Sequence, residues 1–157
     1  MHAMSASEAI LSREPSEIRA MPSNVEAEAA FLGAVLIDNR ILEELQTPLK
    51  PEHFFAAVHG RVFERIHTLI DRKAVVTPVT LKPYFETDEG LKELGGTAYL
   101  ARLTADGQGL LNPRELAEQV YDLALLRELI TVGRNLVEGA LDTSDSVAPL
   151  EQVEKAE

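Results

Sequence analysis

The run NPRELAEQVYDLALLRELITVGRNLVEGAL, residues 112–141, decides the fold. Asn112 before Pro113 is a helix start: the amide side chain caps the first turn, and proline loses no needed N–H at the first helical position. No second proline follows before Leu141, so the run predicts one helix of unusual length. At about 100° per residue, Leu125, Leu129, Val132 and Leu136 fall on one side. Leu116, Val120, Leu123, Ile130, Val137 and Leu141 fall roughly opposite. A helix resting on a single core needs one apolar stripe. Two stripes mean that it is sandwiched, either between its own head and a partner or inside a larger bundle. Arg127 and Arg134 interrupt the second stripe, and buried arginines call for carboxylate partners. This favours a protein–protein face over a dry core without saying which stripe faces out. Gly133 inside the helix costs about 1 kcal/mol relative to alanine, and a close helix crossing is one use for it.

Upstream, the chain reads as a series of shorter helices. Ser23 with Glu26 forms a capping-box pattern, and Asn24 is a competing cap. Behind them Val25, Phe31, Leu32, Val35 and Leu36 recur at helical spacing as far as Asp38-Asn39, and Arg40 to Leu45 adds another turn or two. From Ala57 to Asp71, Val58, Val62, Ile66, Leu69 and Ile70 fit a helix. Thr77-Pro78 starts a short helix that Pro83 kinks or ends. Gly95-Gly96 reverses the chain before a helix from about Thr97 to Thr104. Asp106-Gly107-Gln108-Gly109 reads as a loop, Asp142 to Ser146 as a polar linker, and Pro149 as a further helix start. There is no β-alternation beyond Val75-Val76, so the expected class is all-α. Residues 1–20 form no periodic pattern and are expected to be a mobile arm, followed by a helical head over 21–104.

Composition excludes several function classes. The 157 residues carry 15 Lys+Arg against 26 Asp+Glu, a net charge of −11. Such a balance argues against a sequence-independent grip on DNA, which depends on cations neutralising phosphates. Aromatics are 5% and tryptophan is absent, which leaves little to stack on single strands. Cysteine is absent, which removes disulfides, thiolate metal sites and cysteine nucleophiles and fits a reducing cytosol. No apolar run approaches the roughly 18 residues of a membrane span. None of the lysines follows a glycine, so the phosphate loop G-x-x-x-x-G-K-[ST] does not occur. The histidines His2, His53, His59 and His67 lack metal-site spacing, and His59, near Phe55 and Phe63, reads as a packed, hydrogen-bonded side chain. Glu26/Glu28 and Glu43/Glu44 splay around their helices and form no catalytic carboxylate pair. One stretch is mildly basic: Lys50, Arg61, Arg65, Arg72 and Lys73 outnumber Glu52, Glu64 and Asp71. It is either a solvated helix face or a partner site.

Several segments together carry a family resemblance. Pro22-Ser23-Asn24-Val25-Glu26-Ala27-Glu28 with Leu32-Gly33-Ala34-Val35-Leu36 resembles the opening of the N-terminal domain of DnaB-type bacterial replicative helicases. Leu49-Lys50-Pro51-Glu52-His53-Phe54-Phe55, His59 and Val62-Phe63 continue the agreement. So do Gly95-Gly96-Thr97-Ala98-Tyr99-Leu100 and Leu126-Arg127-Glu128-Leu129-Ile130. Leu116-Ala117 departs from it, since the family commonly has Tyr-Ala there. The resemblance spans about residues 21–141 in order. It implies a helical head whose core aromatics are Phe54, Phe55, Phe63 and Tyr99. A hairpin built on a long dimerisation helix, within 105–141, would follow and pair subunits, and residues 142–157 would lead toward a RecA-like ATPase domain outside these residues.

What else the resemblance implies is a division of labour. The domain would be a non-catalytic collar that assembles with itself, as a dimer or within a hexameric ring, and docks primase. Self-association would use Leu116, Val120, Leu123, Leu125, Leu129, Ile130, Val132, Leu136 and Val137. Lys50, Arg61, Arg65, Arg72 and Lys73 are the candidate primase contacts. ATP, Mg and most DNA contact would belong to the ATPase domain, a helicase loader would be a further partner, and the location would be the bacterial cytoplasm at the nucleoid. The competing reading is an all-α DNA-binding or regulatory module with Arg61, Arg65, Arg72 and Lys73 on a phosphate-facing helix.

Overall fold

Asn24 starts the ordered head. A computed structural model describes residues 21–109, 111–142 and 149–157, the side chain of Gln152 apart. The expected arm over 1–20 and most of the expected linker lie outside the described residues. Helix α1, Val25–Ile37, is capped by Asn24, whose side chain accepts the Ala27 N–H at 2.9 Å. Of the two candidate caps, Asn24 rather than Ser23 is used. The Asn24 amide also donates to Gln119 at 3.2 Å, so one side chain closes the helix and ties it to the long helix. Ala27 to Ala29 and Phe31 to Leu36 are all buried. The first helix is thus surrounded on every side and forms the axis of the head.

Asp38 and Asn39 break α1 by chemistry as well as geometry. The Asp38 carboxylate holds Arg40 at the start of α2, Arg40–Glu43. Asn39 donates to the Val35 and Val76 carbonyls and accepts the Val76 N–H, at 2.8–2.9 Å. It therefore clamps the chain before α4 across 37 residues. A 3-10 turn over Pro51–His53 leads into α3, Ala57–Asp71, which buries Val58, Val62, Phe63, Ile66, Leu69 and Ile70. Thr77 and Thr80 cap α4, Pro78–Phe85, reciprocally. Pro83 lies inside α4, which runs only two residues further. Asp88 caps α5, Glu89–Glu93. Gly95 and Gly96 adopt φ of +108° and +76°, the left-handed region that a side chain would resist, and turn the chain into α6, Ala98–Asp106.

One contact requires glycine on both sides. A methyl group at Gly33 would overlap the Leu103 carbonyl of α6, and one at Gly107 would overlap the backbone at Gly33 and Ala34. Helices α1 and α6 therefore touch main chain to main chain. Phe31, Leu32, Phe63, Ile66, Leu81, Leu91, Leu100 and Leu103 fill the centre with 2% exposure or less. Each contributes roughly 1.5–3 kcal/mol by leaving water. The long helix α7 spans Pro113–Leu141. Its first turns add Leu116, Ala117 and Val120 to the same core. After the linker, α8, Pro149–Ala156, packs back against α7. Every regular element among the described residues is helical.

Candidate assembly interface and docking surface

The inner face of α7 belongs to the head. Leu116, Ala117, Val120 and Ala124 are buried, and Leu123 and Ile130 are half-buried. Next along that face comes Arg127, which finds no carboxylate, contrary to the sequence expectation. Its guanidinium instead donates to the main-chain carbonyls of Pro22 at 2.8 Å and His53 at 2.7 Å, and it lies over the Phe55 ring at 5.5 Å. Carbonyl oxygens substitute for a carboxylate because the arginine fork offers several donors and the site is only part-buried. Arg134, two turns on, reaches the sulfur of Met21 at 4.0 Å. The stripe interrupted by arginines therefore faces the protein's own head.

The other stripe faces away. Leu125, Leu129, Val132 and Leu136 are 38%, 66%, 49% and 44% exposed. Past Arg134, Val137 and Leu141 are open as well. Leu125 to Leu141 covers about 24 Å of helix at ~1.5 Å per residue. Exposed apolar residues in such a row make this face a candidate interaction surface.

The basic residues do not form one patch. Arg61, Arg65 and Arg72 line one face of α3. Arg61 is held in a two-point pair by Asp88 at 2.7 and 2.8 Å, and Arg65 lies over the Tyr84 ring at 4.4 Å. That pairing holds the Asp88 carboxyl below the usual carboxylate range. Arg72 and Lys73 are exposed at the far end of the helix, where Lys73 adopts φ +62°. Lys50 stands apart at the 3-10 turn, whose Pro51 carbonyl abuts Gly60 near the start of α3. Roughly 20 Å of helix lies between that contact and Lys73. Two of the four cations required by a phosphate-facing helix are thus already engaged within the head, which counts against the DNA-binding reading.

A buried polar cluster was only partly legible. His59 is packed and hydrogen-bonded as its surroundings suggested, with Nδ1 2.9 Å from Glu28 and Nε2 2.6 Å from the Tyr99 hydroxyl. Glu28 is 2% exposed and also accepts the N–H groups of Phe55 and Ala56, at 2.7 and 3.2 Å. The N-cap position of α3 is Ala56, which has no capping side chain. Glu28 supplies that cap from another helix and sets negative charge at the positive end of α3. Burial pushes the Tyr99 hydroxyl up, so it keeps its proton at neutral pH. With Glu28 and His59 closed to solvent, the cluster is structural. The signal that could have revealed it is spacing: Glu28 sits in register with Phe31, Leu32 and Val35, a carboxylate within an apolar stripe. Phe54 and Phe63 are core aromatics and Tyr99 is half-buried, but Phe55 is 47% exposed under Arg127 rather than in the core.

Known proteins match this architecture. Residues 20–122 match the family model described as "DnaB-like helicase N terminal domain". The replicative DNA helicase DnaB of Rickettsia prowazekii is 37% identical over 139 residues, which cover 88% of this chain and 29% of that protein. That of Geobacillus stearothermophilus is 31% identical over 129 residues, 82% of this chain and 28% of that protein. The chain thus spans less than a third of the length of these relatives. The crystal structure of the N-terminal domain of DnaB helicase from Mycobacterium tuberculosis superposes with a TM-score of 0.75 at 27% identity, over 87% of this chain and 96% of that one. A DnaB-like replicative helicase whose structure was described with its interactions with primase shares the fold, with a TM-score of 0.66 at 24% identity over 85% of this chain and 32% of that one. With a domain-wide match to the family model and a helical architecture shared with a solved member, the chain belongs to the DnaB-like helicase N-terminal domain family.

Proposed function

We propose that these residues serve a replicative DNA helicase as its assembly and docking domain. The observation that carries the reading is the uncovered outer face of α7, with Leu125, Leu129, Val132 and Leu136 exposed in a row on a helix whose inner face is already occupied. Self-association would cover that face. Leu116 and Val120, grouped with it on sequence grounds, would instead hold α7 to the head, with Leu123 and Ile130 at the margin and Val137 beside the outer stripe. The curated relatives are replicative helicases about three times longer than the matched region, so unwinding belongs to the whole protein. ATP, Mg and most DNA contact are assigned to a further domain, because this sequence holds no phosphate loop. Among the described residues, no group of three His, Asp or Glu could hold a metal ion.

Primase is the proposed second partner, by the family resemblance and by the related structure described with primase. The proposed contact uses the free cations Arg72 and Lys73 first, then Arg65 and Arg61 through their exposed edges, and Lys50 as a separate point. A helicase loader is a further proposed partner. The proposed location is the bacterial cytoplasm at the nucleoid, and no helix among the described residues is long and apolar enough to cross a membrane. Light scattering tests the assembly role. The chain should show a mass above monomer at high micromolar concentration, and a strict monomer there contradicts the reading.

A further inference from the structure

We propose that the end of the head built from the last turn of α1, the link over 72–77 and the start of α4 docks an acidic, aliphatic segment of a partner protein. The inference rests on the docking role above, to which it gives a site and a partner chemistry. Asn39 places the site. Its side chain pairs with both the N–H and the carbonyl of Val76, so the chain leaving α1 and the chain entering α4 lie side by side. Ile37, Val75 and Val79 flank that clamp in the sequence and are 53%, 73% and 78% exposed. The two valines are the most exposed large apolar side chains of the head.

The fold itself has no use for this exposure. Val79 stands in the first turn of α4, where a β-branched side chain forms helix less readily than alanine, and it buries little in return. Lys73 poses the same question in the main chain. It holds φ +62°, a left-handed conformation that glycine takes at less cost. A use for its exposed ammonium accounts for lysine there; the backbone does not.

Charge names the partner. Arg72, Lys73 and Lys82 are exposed and make no ion pair among the described residues. Lys82 follows Val79 at i+3, on the same side of α4. Arg40 and Asp38, close by in the chain, offset each other. The chain as a whole carries −11, so these cations beside aliphatic side chains decide where an acidic segment lands. Nucleic acid would use the cations and leave the aliphatic side chains uncovered, since Ile37, Val75 and Val79 give a base no ring to stack on. A second copy has the outer face of α7. Ile37 ends α1, about 20 Å of helix from the Asn24 cap that touches α7, so docking and assembly use separate surfaces.

The probe is a fluorescein-labelled synthetic peptide of aspartates and leucines, read by anisotropy against the whole chain. It should bind saturably, more weakly as salt rises, and the cognate primase's helicase-docking domain should displace it. Val79→Asp should weaken binding of peptide and primase domain about tenfold or more. Its melting should not fall, because an acid suits the first turn of a helix. Lys73→Gly should also melt no lower than the parent, since glycine accepts that φ, yet bind both more weakly. Absent peptide binding, peptide binding indifferent to these substitutions, or displacement by single-stranded DNA in place of the primase domain overturns the proposal. Primase binding untouched by both substitutions overturns the site and leaves the docking role standing. A shift in self-association with Val79→Asp makes the patch a contact between copies and overturns it as well. If the folded parent binds no primase domain at hundreds of micromolar, the docking role itself fails.

Discussion

At the scale of single residues, Glu28 carries more of the fold than the exposed Glu26, the other acid of α1. Glu28→Ala strands the part-buried N–H groups of Phe55 and Ala56 and one buried nitrogen of His59. Each buried unpaired group costs ~1–3 kcal/mol, so we expect a loss of about 3 kcal/mol or more in urea unfolding. A loss below 1 kcal/mol would show that the cap is dispensable. Arg127→Ala removes two hydrogen bonds from a charged donor and should cost about 2 kcal/mol. Arg127→Lys should restore little, since an ammonium cannot reproduce the fork that spans the Pro22 and His53 carbonyls. Full rescue by lysine would mean that charge alone matters.

His53 gives the head a pH dependence. Burial, the largest cause, pulls its pKa below the ordinary 6.5, and its Nδ1 accepts the Lys50 N–H at 3.0 Å. Protonation removes that acceptor. A depressed folded-state pKa contributes stability that is complete above the unfolded value and lost as pH falls through the folded one. The thermal midpoint should therefore drop as pH is lowered below 6.5, and His53→Asn should flatten that step. A midpoint constant between pH 7 and 5.5 would contradict this reading.

At the scale of elements, what was legible in the sequence depended on whether the signal was local. The bounds of α7, the Thr77-Pro78 start and the Gly95-Gly96 reversal depend on a few adjacent residues, and they stand in the structure as read. Asn24, the cap that is used, also donates to Gln119, 95 residues away, a contact that no local pattern contains. The two stripes of α7 were legible but not their orientation, because two arginines on one stripe look like an interface until main-chain carbonyls are found beneath one of them. Phe55 was misplaced for the same reason. Its neighbour Phe54 enters the core, while Phe55 lies under Arg127 on the surface. Gly33→Ala tests the α1–α6 crossing, because its methyl overlaps backbone that cannot yield locally. It should cost at least about 3 kcal/mol or prevent folding, and a stable, folded variant would refute main-chain contact.

At the scale of the whole molecule, one acidic head presents a modest surface, so its affinity for a primase domain should be weak. Several heads on a ring can engage a linked or oligomeric primase and gain strength through effective concentration. Calorimetry should find that this chain binds the cognate primase's helicase-docking domain more weakly than the full-length helicase binds whole primase, and more weakly still as salt rises. If the full helicase binds that domain while the folded chain shows nothing at hundreds of micromolar, docking lies elsewhere.

Assembly through the outer face of α7 is the claim on which the rest depends. Leu129 is 66% exposed, so Leu129→Asp should leave the helical content and melting of the head unchanged while placing a charge where a partner would sit. Sedimentation equilibrium of the chain and this variant, side by side from low to high micromolar concentration, reads the consequence directly. The account predicts a self-associating parent and a monomeric, folded Leu129→Asp variant. A variant that associates as tightly as the parent would contradict it.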